Sequence, residues 1–319
     1  MKLIIQIPCF NEERTLPAAV ADLPRAIPGI ETIEYLVIDD GSTDRTAEVA
    51  RELGVHHIVS FTANRGLARA FASGLEAALT FGADIIVNTD GDNQYCGADI
   101  ARLVQPILDK EADIVIGARD IASIEHFSPI KKLLQKIGSG FVRAVSGTHV
   151  ADATSGFRAY SREAAMRVNV FSDFTYTLET IIQAGMAGIA ITHVPIRTNG
   201  KLRESRLFTS LFSYIAQSLV TVLRIYTMYR PLKVFSVIGG VLFGAGCLGV
   251  ARFLYYYLSL PTVQTGHIQS LIIAAVLIMI GFQIFLYGLM SDITAKNRRL
   301  LEDMLLRMKR ADLQSRDKS

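Results

Sequence analysis

The stretch DIIVNTDGDNQY, residues 84–95, sets the architecture of the chain because an apolar run ends there in a cluster of polar side chains. Its first half is short and β-branched, which is typical of a buried strand. In the second half, Asp90 and Asp92 lie two residues apart, so their carboxylates point to the same side if the chain is still extended. With the neutral oxygen of Gln94 they form an all-oxygen set suited to Mg²⁺ or Mn²⁺. For this short motif taken alone, a polar turn after a strand is the competing interpretation.

Runs of the same β-branched kind recur before and after this stretch, and helical periods separate them. Residues 46–53 have a helical pattern, with Asp44 as the predicted cap and Gly54 as the stop. Residues 66–81 repeat Ala and Leu at helical spacing before Gly82. This alternation predicts a mostly parallel sheet that is covered by helices on both faces. The other predicted strands are LIIQIP (residues 3–8), YLVID (35–39), HHIVSF (56–61), DIVIGA (113–118) and IAITHV (189–194).

The composition fits one large domain with an apolar appendage. The chain has 319 residues, of which 50% are hydrophobic, and its mean hydropathy of +0.32 is high for a simple soluble enzyme. A net charge of +3 implies no strongly basic face, so we expect no nucleic-acid partner. The three cysteines form no CxxC pair, which favours a reduced compartment without structural zinc. The N-terminal residues lack the pattern of a signal peptide, so we expect the catalytic groups to stay in the cytosol.

Polar side chains also follow the first two predicted strands. In IPCFNEE, Pro8 stiffens the turn, and Asn11 and Glu12 can hydrogen-bond a base or a ribose. In VIDDGSTD, Asp39 and Asp40 are suited to ribose hydroxyls or a base N–H. Turn and cap chemistry is the alternative for each segment. Because ligands of open α/β sheets bind at the carboxyl ends of strands, the recurrence after three strands favours a ligand site.

The C-terminal third changes character after Arg206. Residues 207–226 place apolar side chains at three- and four-residue intervals with few charges, which predicts a helix in a membrane interface or an ordinary core helix. Two apolar segments follow, about 234–258 and 268–291, each long enough for the roughly 20 residues that a bilayer crossing needs. Gly240 and Gly244 offer a small-residue contact surface, although glycine is common in membrane helices.

The basic residues around these segments predict their orientation. Arg230 and Lys233 precede the first segment and KNRRLLEDMLLRMKR follows the second, whereas the connection PTVQTGH has no Lys or Arg. By the positive-inside rule both ends face the cytosol, giving a multi-pass protein of the inner (plasma) membrane. Residues 292–319 carry an apolar helical stripe that can pack on the domain or on another copy, so a homo-oligomer is one option.

Five motifs occur in order: IPCFNEE, IDDGSTD, NRGLARA, NTDGDNQ and DATSGFRAYSREA. Together they resemble glycosyltransferase family 2, which has the GT-A fold, over about residues 1–206. The closer similarity is to the membrane-anchored branch of the polyprenyl-phosphate (dolichyl-phosphate) hexose synthases. The sequence departs from that pattern in two places, at Gly91, where many relatives have Ala, and in GKLRESRL, which replaces a common Arg-x-Gly-x-Ser-Lys segment.

The resemblance implies a role for each matched residue. A divalent cation, Mg²⁺ or Mn²⁺, would sit on the donor diphosphate, held by Asp90, Asp92 and Gln94. The nucleotide-binding candidates are Pro8, Asn11, Glu12, Asp39, Asp40 and Asp90. The catalytic candidates are Asp152, Arg119, Arg143, Arg158 and Glu179. The candidates for binding the lipid phosphate are Arg197, Lys201, Arg203 and Arg206.

The implied reaction is attack of a polyprenyl phosphate on the anomeric carbon of a GDP- or UDP-linked hexose, with inversion. A phosphate whose second pKa is about 6 is largely ionised and needs little general-base help. The arginines would clamp the phosphate, and Asp152 would act as a base or orient the acceptor, unless it only caps its loop. Glu179 is the second candidate, after Asp152, for the carboxylate at the reaction centre. For the basic residues 197–206, simple attraction to anionic lipid, worth about 1 kcal/mol per charge, is the alternative.

Other functions compete with this one. A processive polysaccharide synthase is disfavoured because the chain has no Trp and only two predicted spans. A glycan or another lipid as acceptor, or an inactive nucleotide-sugar-binding membrane scaffold, stays open. The predicted organisation is a GT-A domain at 1–206, a juxtamembrane helix at 207–230, two spans within 231–291 and a cytosolic helix at 292–319.

Overall fold

The computed structural model describes residues 1–120, 138–140, 142–143, 145–171, 175–200, 211–259 and 268–316. It divides into two compact units. The first comprises Met1–Leu223 with Leu306–Ser319, and the second comprises Arg224–Leu305.

Strands and helices alternate through most of the first unit, as the sequence predicts. In the described residues the strands are β1 (Lys2–Cys9), β2 (Thr32–Asp39), β3 (His57–Ser60), β4 (Ile85–Asn88), β5 (Ile114–Arg119), β6 (Arg158–Ser161) and β7 (Ile191–Ile196). The α-helices whose bounds are defined in the same residues are α1 (Leu16–Asp22), α2 (Thr46–Glu52), α3 (Leu67–Thr80), α4 (Ile100–Leu108), α5 (Arg162–Arg167), α6 (Tyr176–Ala187), α7 (Leu211–Tyr229), α8 (Pro231–Ser259) and α9 (Ile268–Arg316).

The strands form one sheet in the order β3-β2-β1-β4-β6-β5-β7. Neighbouring strands run parallel except β6, which pairs antiparallel with both β4 and β5. The prediction of a mostly parallel sheet is therefore confirmed. Pairs such as Pro8 with Ile38 and Gln6 with Asn88 bring the carboxyl ends of β1, β2 and β4 to one edge.

Local signals place the helix ends close to where the sequence predicts them. The N-cap residue of α2 is Arg45, one position after the predicted Asp44, and it makes no side-chain cap bond. The Asp44 carboxylate accepts a hydrogen bond from the backbone N–H of Thr46, the first residue of α2, at 3.0 Å. Gly54 follows that helix with a φ of 69°, and Gly82 follows α3 with a φ of 82°. Glycine adopts this left-handed conformation without a steric penalty, which explains why both helices stop there.

Strand β4 is shorter than its apolar run suggests. It ends at Asn88, residues 91 and 92 form a turn, and Asn93 has a φ of 57°. The assumption that the chain stays extended through Asp90 and Asp92 is therefore wrong. Contacts in the turn, rather than strand alternation, bring these two side chains together.

The second unit contains a close contact between α8 and α9. A Cβ atom added at Gly239 would lie 2.7 Å from the carbonyl oxygen of Gly281, and one at Gly246 would lie 2.7 Å from that of Ala274. Helices approach this closely only where the contact residues are small. This contact passes through Gly239 and Gly246, whereas a Cβ atom added at Gly240 or Gly244 has no described neighbour within 4 Å. The small-residue surface predicted at Gly240 and Gly244 is therefore not used between these two helices.

Two helices, Pro231–Ser259 and Ile268–Ser315, are long and apolar enough to cross a membrane by length and composition. In their most apolar windows only 11% and 17% of the residues are buried inside the protein. The core helix of a soluble protein would be mostly buried instead.

The last turns of α9 belong to the first unit. Arg310 forms an ion pair with Glu163, and the Lys309 ammonium group donates to the Asn169 side chain at 3.4 Å. The end of the chain thus packs on its own domain. On the same helix, Leu301, Met304 and Met308 stay largely exposed.

Candidate active site

The turn after β4 gathers the predicted metal ligands into one cluster. The Gln94 side-chain amide donates to Asp90 Oδ2 at 2.7 Å, and the Gln94 backbone N–H donates to Asp92 Oδ1 at 3.2 Å. All three side chains are partly exposed. The cluster lies at the carboxyl end of β4, where ligands of open α/β sheets bind.

The chemistry of this cluster fits a hard cation. Two carboxylates and one amide oxygen are the ligand types that Mg²⁺ and Mn²⁺ prefer, and such ions complete their coordination with water and substrate phosphates. Within the residues that the structure describes, no group of three or more His, Cys, Asp or Glu side chains could hold a metal. A cation here would therefore depend on Gln94 and on the substrate for its remaining ligands.

A buried hydrogen-bond network holds the SGFR loop (residues 155–158) against this cluster. Asn88 accepts a bond from Gln6 at 2.9 Å and donates to the carbonyl of Gly156 and the hydroxyl of Tyr176, both at 2.9 Å. A Cβ atom at Gly156 would lie 3.2 Å from Asp90 Oδ1. Sequence reasoning missed Asn88 and Tyr176, although an asparagine at the end of an apolar run is a signal of a buried polar contact.

Arg119 and Asp152 form a buried ion pair. Arg119 Nε donates to Asp152 Oδ2 at 2.7 Å and Nη2 donates to Oδ1 at 3.2 Å, which makes the pair bidentate. The side chains are 12% and 1% exposed. Thr154 adds hydrogen bonds to Asp152 from its backbone N–H at 3.1 Å and its hydroxyl at 2.9 Å. The sequence pointed to both residues without predicting that they pair.

This environment sets the protonation state of Asp152. Burial raises the pKa of its carboxyl group, but the charge of Arg119 and the hydrogen bonds from Arg119 and Thr154 outweigh burial and hold the pKa below its ordinary value. Such a carboxylate stays ionised and accepts a proton poorly. The arrangement suits Asp152 to orienting Arg119 rather than to general-base catalysis.

The predicted phosphate clamp at Arg158 does not fit the structure. Its side chain is fully buried, and its guanidinium group donates to three backbone carbonyls and to the Thr180 hydroxyl. These bonds fix the SGFR loop on α6. The described contacts of Arg158 thus support the local structure. Arg158 begins the short strand β6, which the sequence did not reveal.

Arg143 and Glu179 occupy different surroundings. Arg143 is exposed and lies in a helical stretch before the loop that leads to Asp152. Glu179 is only 2% exposed, and both of its carboxylate oxygens accept a bond from the backbone N–H of Phe171, at 3.1 and 3.2 Å. These contacts of Glu179 hold the segment before α6.

The residues after β1 and β2 support each other across the sheet edge. Asn11 has a φ of 55° and accepts a bond from the backbone N–H of Thr43 at 2.8 Å. Glu12 is buried, and its backbone N–H donates to the Thr46 hydroxyl at 2.8 Å. Pro8 is buried in β1 beside Ile38 of β2. These contacts place Pro8, Asn11 and Glu12 at the edge where β4 also ends.

Asp39 and Asp40 shape the neighbouring loops. Asp39 accepts a bond from the backbone N–H of Ser42 at 3.0 Å. Asp40 accepts bonds from the backbone N–H groups of Arg65 and Gly66 at 2.7 and 2.9 Å. Burial nevertheless raises the pKa of Asp40 above its ordinary value. Both carboxylates thus organise the turns that line this edge.

The basic residues after β7 are described only in part. Arg197 donates to the Asp99 carboxylate, with Nη2 to Oδ1 at 2.8 Å, and its side chain is 65% exposed. Burial raises the pKa of Asp99, but the hydrogen bonds and charge of Arg197 bring it below the ordinary value. Lys201, Arg203 and Arg206 lie outside the described residues.

Comparison with known proteins gives consistent relatives. The chain is 30% identical over 217 residues to a UDP-N-acetylglucosamine–dolichyl-phosphate N-acetylglucosaminyltransferase from Methanococcus voltae, covering 60% of this chain and 83% of the relative. It is 27% identical over 206 residues to a polyprenol monophosphomannose synthase from Mycolicibacterium smegmatis, covering 61% of this chain and 76% of the relative.

A solved structure shares the fold. Glucosyl-3-phosphoglycerate synthase from Mycobacterium tuberculosis, in complex with Mn²⁺, UDP-glucose and phosphoglyceric acid, superposes with a TM-score of 0.56 at 21% identity. The match covers 70% of this chain and 79% of the other. The N-terminal domain therefore has the GT-A fold, as the sequence motifs suggest. Residues 4–168 match the family described as Glycosyl transferase family 2, and the chain belongs to that family.

Proposed function

We propose that this protein transfers a hexose from a nucleotide-sugar to a polyprenyl phosphate, with inversion, on the cytosolic face of a membrane. The observation that carries the proposal is the cluster of Asp90, Asp92 and Gln94 at the sheet edge where β1 and β2 also end. Family membership supports glycosyl transfer. The two relatives named for dolichyl-phosphate and polyprenol substrates support a lipid phosphate as the acceptor.

In this proposal the donor diphosphate binds at the metal cluster. Asp90, Asp92 and Gln94 would hold the cation, and a bound cation would supply positive charge to stabilise the departing diphosphate. The mycobacterial synthase of the same fold, solved with Mn²⁺ and UDP-glucose, is compatible with this use of the fold. The SGFR loop lies close to Asp90, since a Cβ atom added at Gly156 would be 3.2 Å from Asp90 Oδ1. The Gln94 amide N–H donates to Asp90, so the Gln94 side chain would turn to present its oxygen to the cation.

The nucleoside occupies the ends of β1 and β2. Pro8, Asn11, Glu12, Asp39 and Asp40 line this region and offer backbone and side-chain groups for the base and the ribose. Several of their side chains already bond to neighbouring loops. We therefore propose that these residues shape the nucleoside site as well as contact the nucleoside directly.

The acceptor phosphate approaches Arg119. Its guanidinium group is held by Asp152, which leaves a pre-oriented cation for the phosphate. Because the phosphate is itself ionised, the low pKa of Asp152 presents no obstacle to the reaction. Arg143, Lys201, Arg203 and Arg206 remain proposed contacts of the lipid head group.

The apolar helices attach the enzyme to its lipid substrate. We propose that α8 and the apolar part of α9 form a hairpin through the bilayer, with the catalytic domain and both termini in the cytosol. The exposed Leu301, Met304 and Met308 offer a face for a second copy. Copies in one membrane share an orientation, so these helices would meet in parallel about a twofold axis. Cross-linking of the membrane-embedded protein tests this arrangement.

The test is a transfer assay with purified protein. GDP-mannose, UDP-glucose and UDP-N-acetylglucosamine are each incubated with Mn²⁺ and undecaprenyl phosphate, and the lipid fraction is examined for a glycolipid. We expect product with at least one donor and none after chelation. Product formed only with a glycan acceptor would contradict the proposed acceptor. Absence of both transfer and metal-dependent donor hydrolysis would favour an inactive scaffold.

A further inference from the structure

The turn after β4 that carries Asp90, Asp92 and Gln94 is called the metal turn. A group of polar residues joins the metal turn to the chain that follows β7. We call it the clasp and define it as Asp22, Asp99, Arg197 and Asn199. Asp99 lies in the short 3₁₀ turn Gly97–Asp99 after the metal motif, and Asp22 ends α1. Arg197 and Asn199 directly precede the basic segment that begins at Lys201.

Asp99 is the buried centre of the clasp, with its side chain only 1% exposed. It accepts a bond from the backbone N–H of Arg197 at 2.7 Å and a second from the Arg197 guanidinium at 2.8 Å. Arg102 adds a cation at 3.8 Å. Charged hydrogen bonds to a buried carboxylate are strong and geometrically specific, so Asp99 fixes where the chain leaves β7.

Asn199 connects the same chain to the metal turn itself. Its backbone N–H donates to the Gln94 carbonyl at 2.9 Å, and its side-chain amide donates to the Tyr95 carbonyl at 3.2 Å. Tyr95 and Thr198 form an antiparallel bridge between the two segments. A proposed metal ligand is thus attached by its own backbone to residue 199.

Asp22 closes the clasp from α1. Its carboxylate accepts a bond from the Gly97 backbone N–H at 2.6 Å and another from the Asn199 side chain at 3.3 Å. A Cβ atom at Gly97 would collide with the Asp22 carbonyl oxygen. The metal turn is therefore fixed on both sides, by α1 and by the chain after β7.

These contacts matter because the metal turn is not part of a strand. Strand β4 ends at Asn88, so its pairing with β1 does not extend to Asp92 and Gln94. The backbone of Gln94 is held instead by its bond from Asn199. The positions of Asp92 and Gln94 depend on the contacts of the turn. Partners of metal ligands typically contribute 10- to 100-fold to metal affinity, although they do not touch the metal.

We propose that Asp99 and Asn199 are positioning residues, which set the geometry of the metal turn and couple it to the chain that leads into the basic segment. This inference rests on the proposed function, since it assumes that Asp90, Asp92 and Gln94 hold the donor's cation. The clasp residues need not touch the substrate.

The test measures cation binding separately from transfer. Mn²⁺ alone is titrated into the purified full-length protein and followed by electron paramagnetic resonance, and the melting temperature is measured in parallel. We expect Asp99→Asn and Asn199→Ala each to raise the Kd for Mn²⁺ by roughly 10-fold. Asn199→Ala keeps the backbone bond to Gln94 and lies at a partly exposed position, so we expect it to fold. It therefore tests the inference even if Asp99→Asn does not fold.

Glu34→Gln is the matched control. Glu34 is a partly buried carboxylate that, like Asp99, has a lowered pKa and charged partners. It pairs with Lys2 and His57 near the opposite end of the sheet. We expect it to reduce the melting temperature without changing the Kd for Mn²⁺. If both clasp variants bind Mn²⁺ as the wild type does, the clasp is merely structural and the inference is overturned, whereas the proposed function is unaffected. If the wild type binds Mn²⁺ but makes no glycolipid, the proposed function is contradicted. The positioning role of Asp99 and Asn199 is then still judged by the Kd values of their variants for Mn²⁺.

Discussion

At the scale of single residues, the proposed function assigns the central role to the carboxylates after β4, Asp90 and Asp92. We predict that Asp92→Ala abolishes nearly all transfer while the fold is retained, because the cation loses a charged ligand and the diphosphate is no longer neutralised. Glycolipid formation and the melting temperature are measured together. Asp109→Ala is the control, since this residue lies after α4 and is exposed. An Asp92→Ala protein with wild-type turnover would show that the metal role is misassigned.

The Arg119–Asp152 pair makes a prediction about pH. Replacing Asp152 with Asn leaves Arg119 buried without its counter-charge, which should cost about 3–5 kcal/mol of the free energy of unfolding at pH 7. The pKa of Asp152 is lowered in the folded protein, so the stabilisation is complete above the ordinary carboxyl pKa of about 3.9 and is lost as the pH falls through the lowered value.

Urea titrations at pH 7 and at a series of pH values below 4 measure this effect. The difference between wild type and Asp152→Asn should shrink as the pH falls. A difference that stays constant would mean that the carboxylate charge contributes nothing to the pair.

At the scale of elements, the SGFR loop lies close to Asp90, one of the proposed metal ligands. We predict that Gly156→Ala weakens Mn²⁺ binding, because the new Cβ would lie 2.9 Å from the Tyr176 hydroxyl and 3.2 Å from Asp90 Oδ1. A contact this short forces the loop or Asp90 to move. Titration of the protein with Mn²⁺ measures the loss of affinity. Gly138→Ala is the control, since an added Cβ there has no described neighbour within 4 Å.

At the scale of the whole molecule, the distribution of basic residues predicts the orientation in the membrane. A single cysteine is introduced at Gln264, in the connection between the helices, or at Ser315, near the end of α9. In intact spheroplasts a membrane-impermeant thiol reagent should label only the first, and permeabilisation should expose the second. The protein without an added cysteine gives the background. Labelling of Ser315→Cys in intact spheroplasts would contradict a cytosolic C-terminus.

Much of the fold and of the site could be read from short segments. The runs that became β1, β2 and β4, the helix α2 and the cluster of Asp90, Asp92 and Gln94 all depend on residues close together in the chain. Strand alternation, helix stops at glycine and paired carboxylates are local patterns, so they are visible without the tertiary structure.

Other features arise from residues that are far apart in the chain. Strand β6 is too short and polar to stand out, and its pairing with β4 and β5 is what buries Arg158. Asp99 meets Arg197 across 98 positions, and Arg119 meets Asp152 across 33. Local patterns carry no information about such partners. The burial of Arg158 and the ion pair of Asp152 are therefore fixed by how the sheet brings distant segments together.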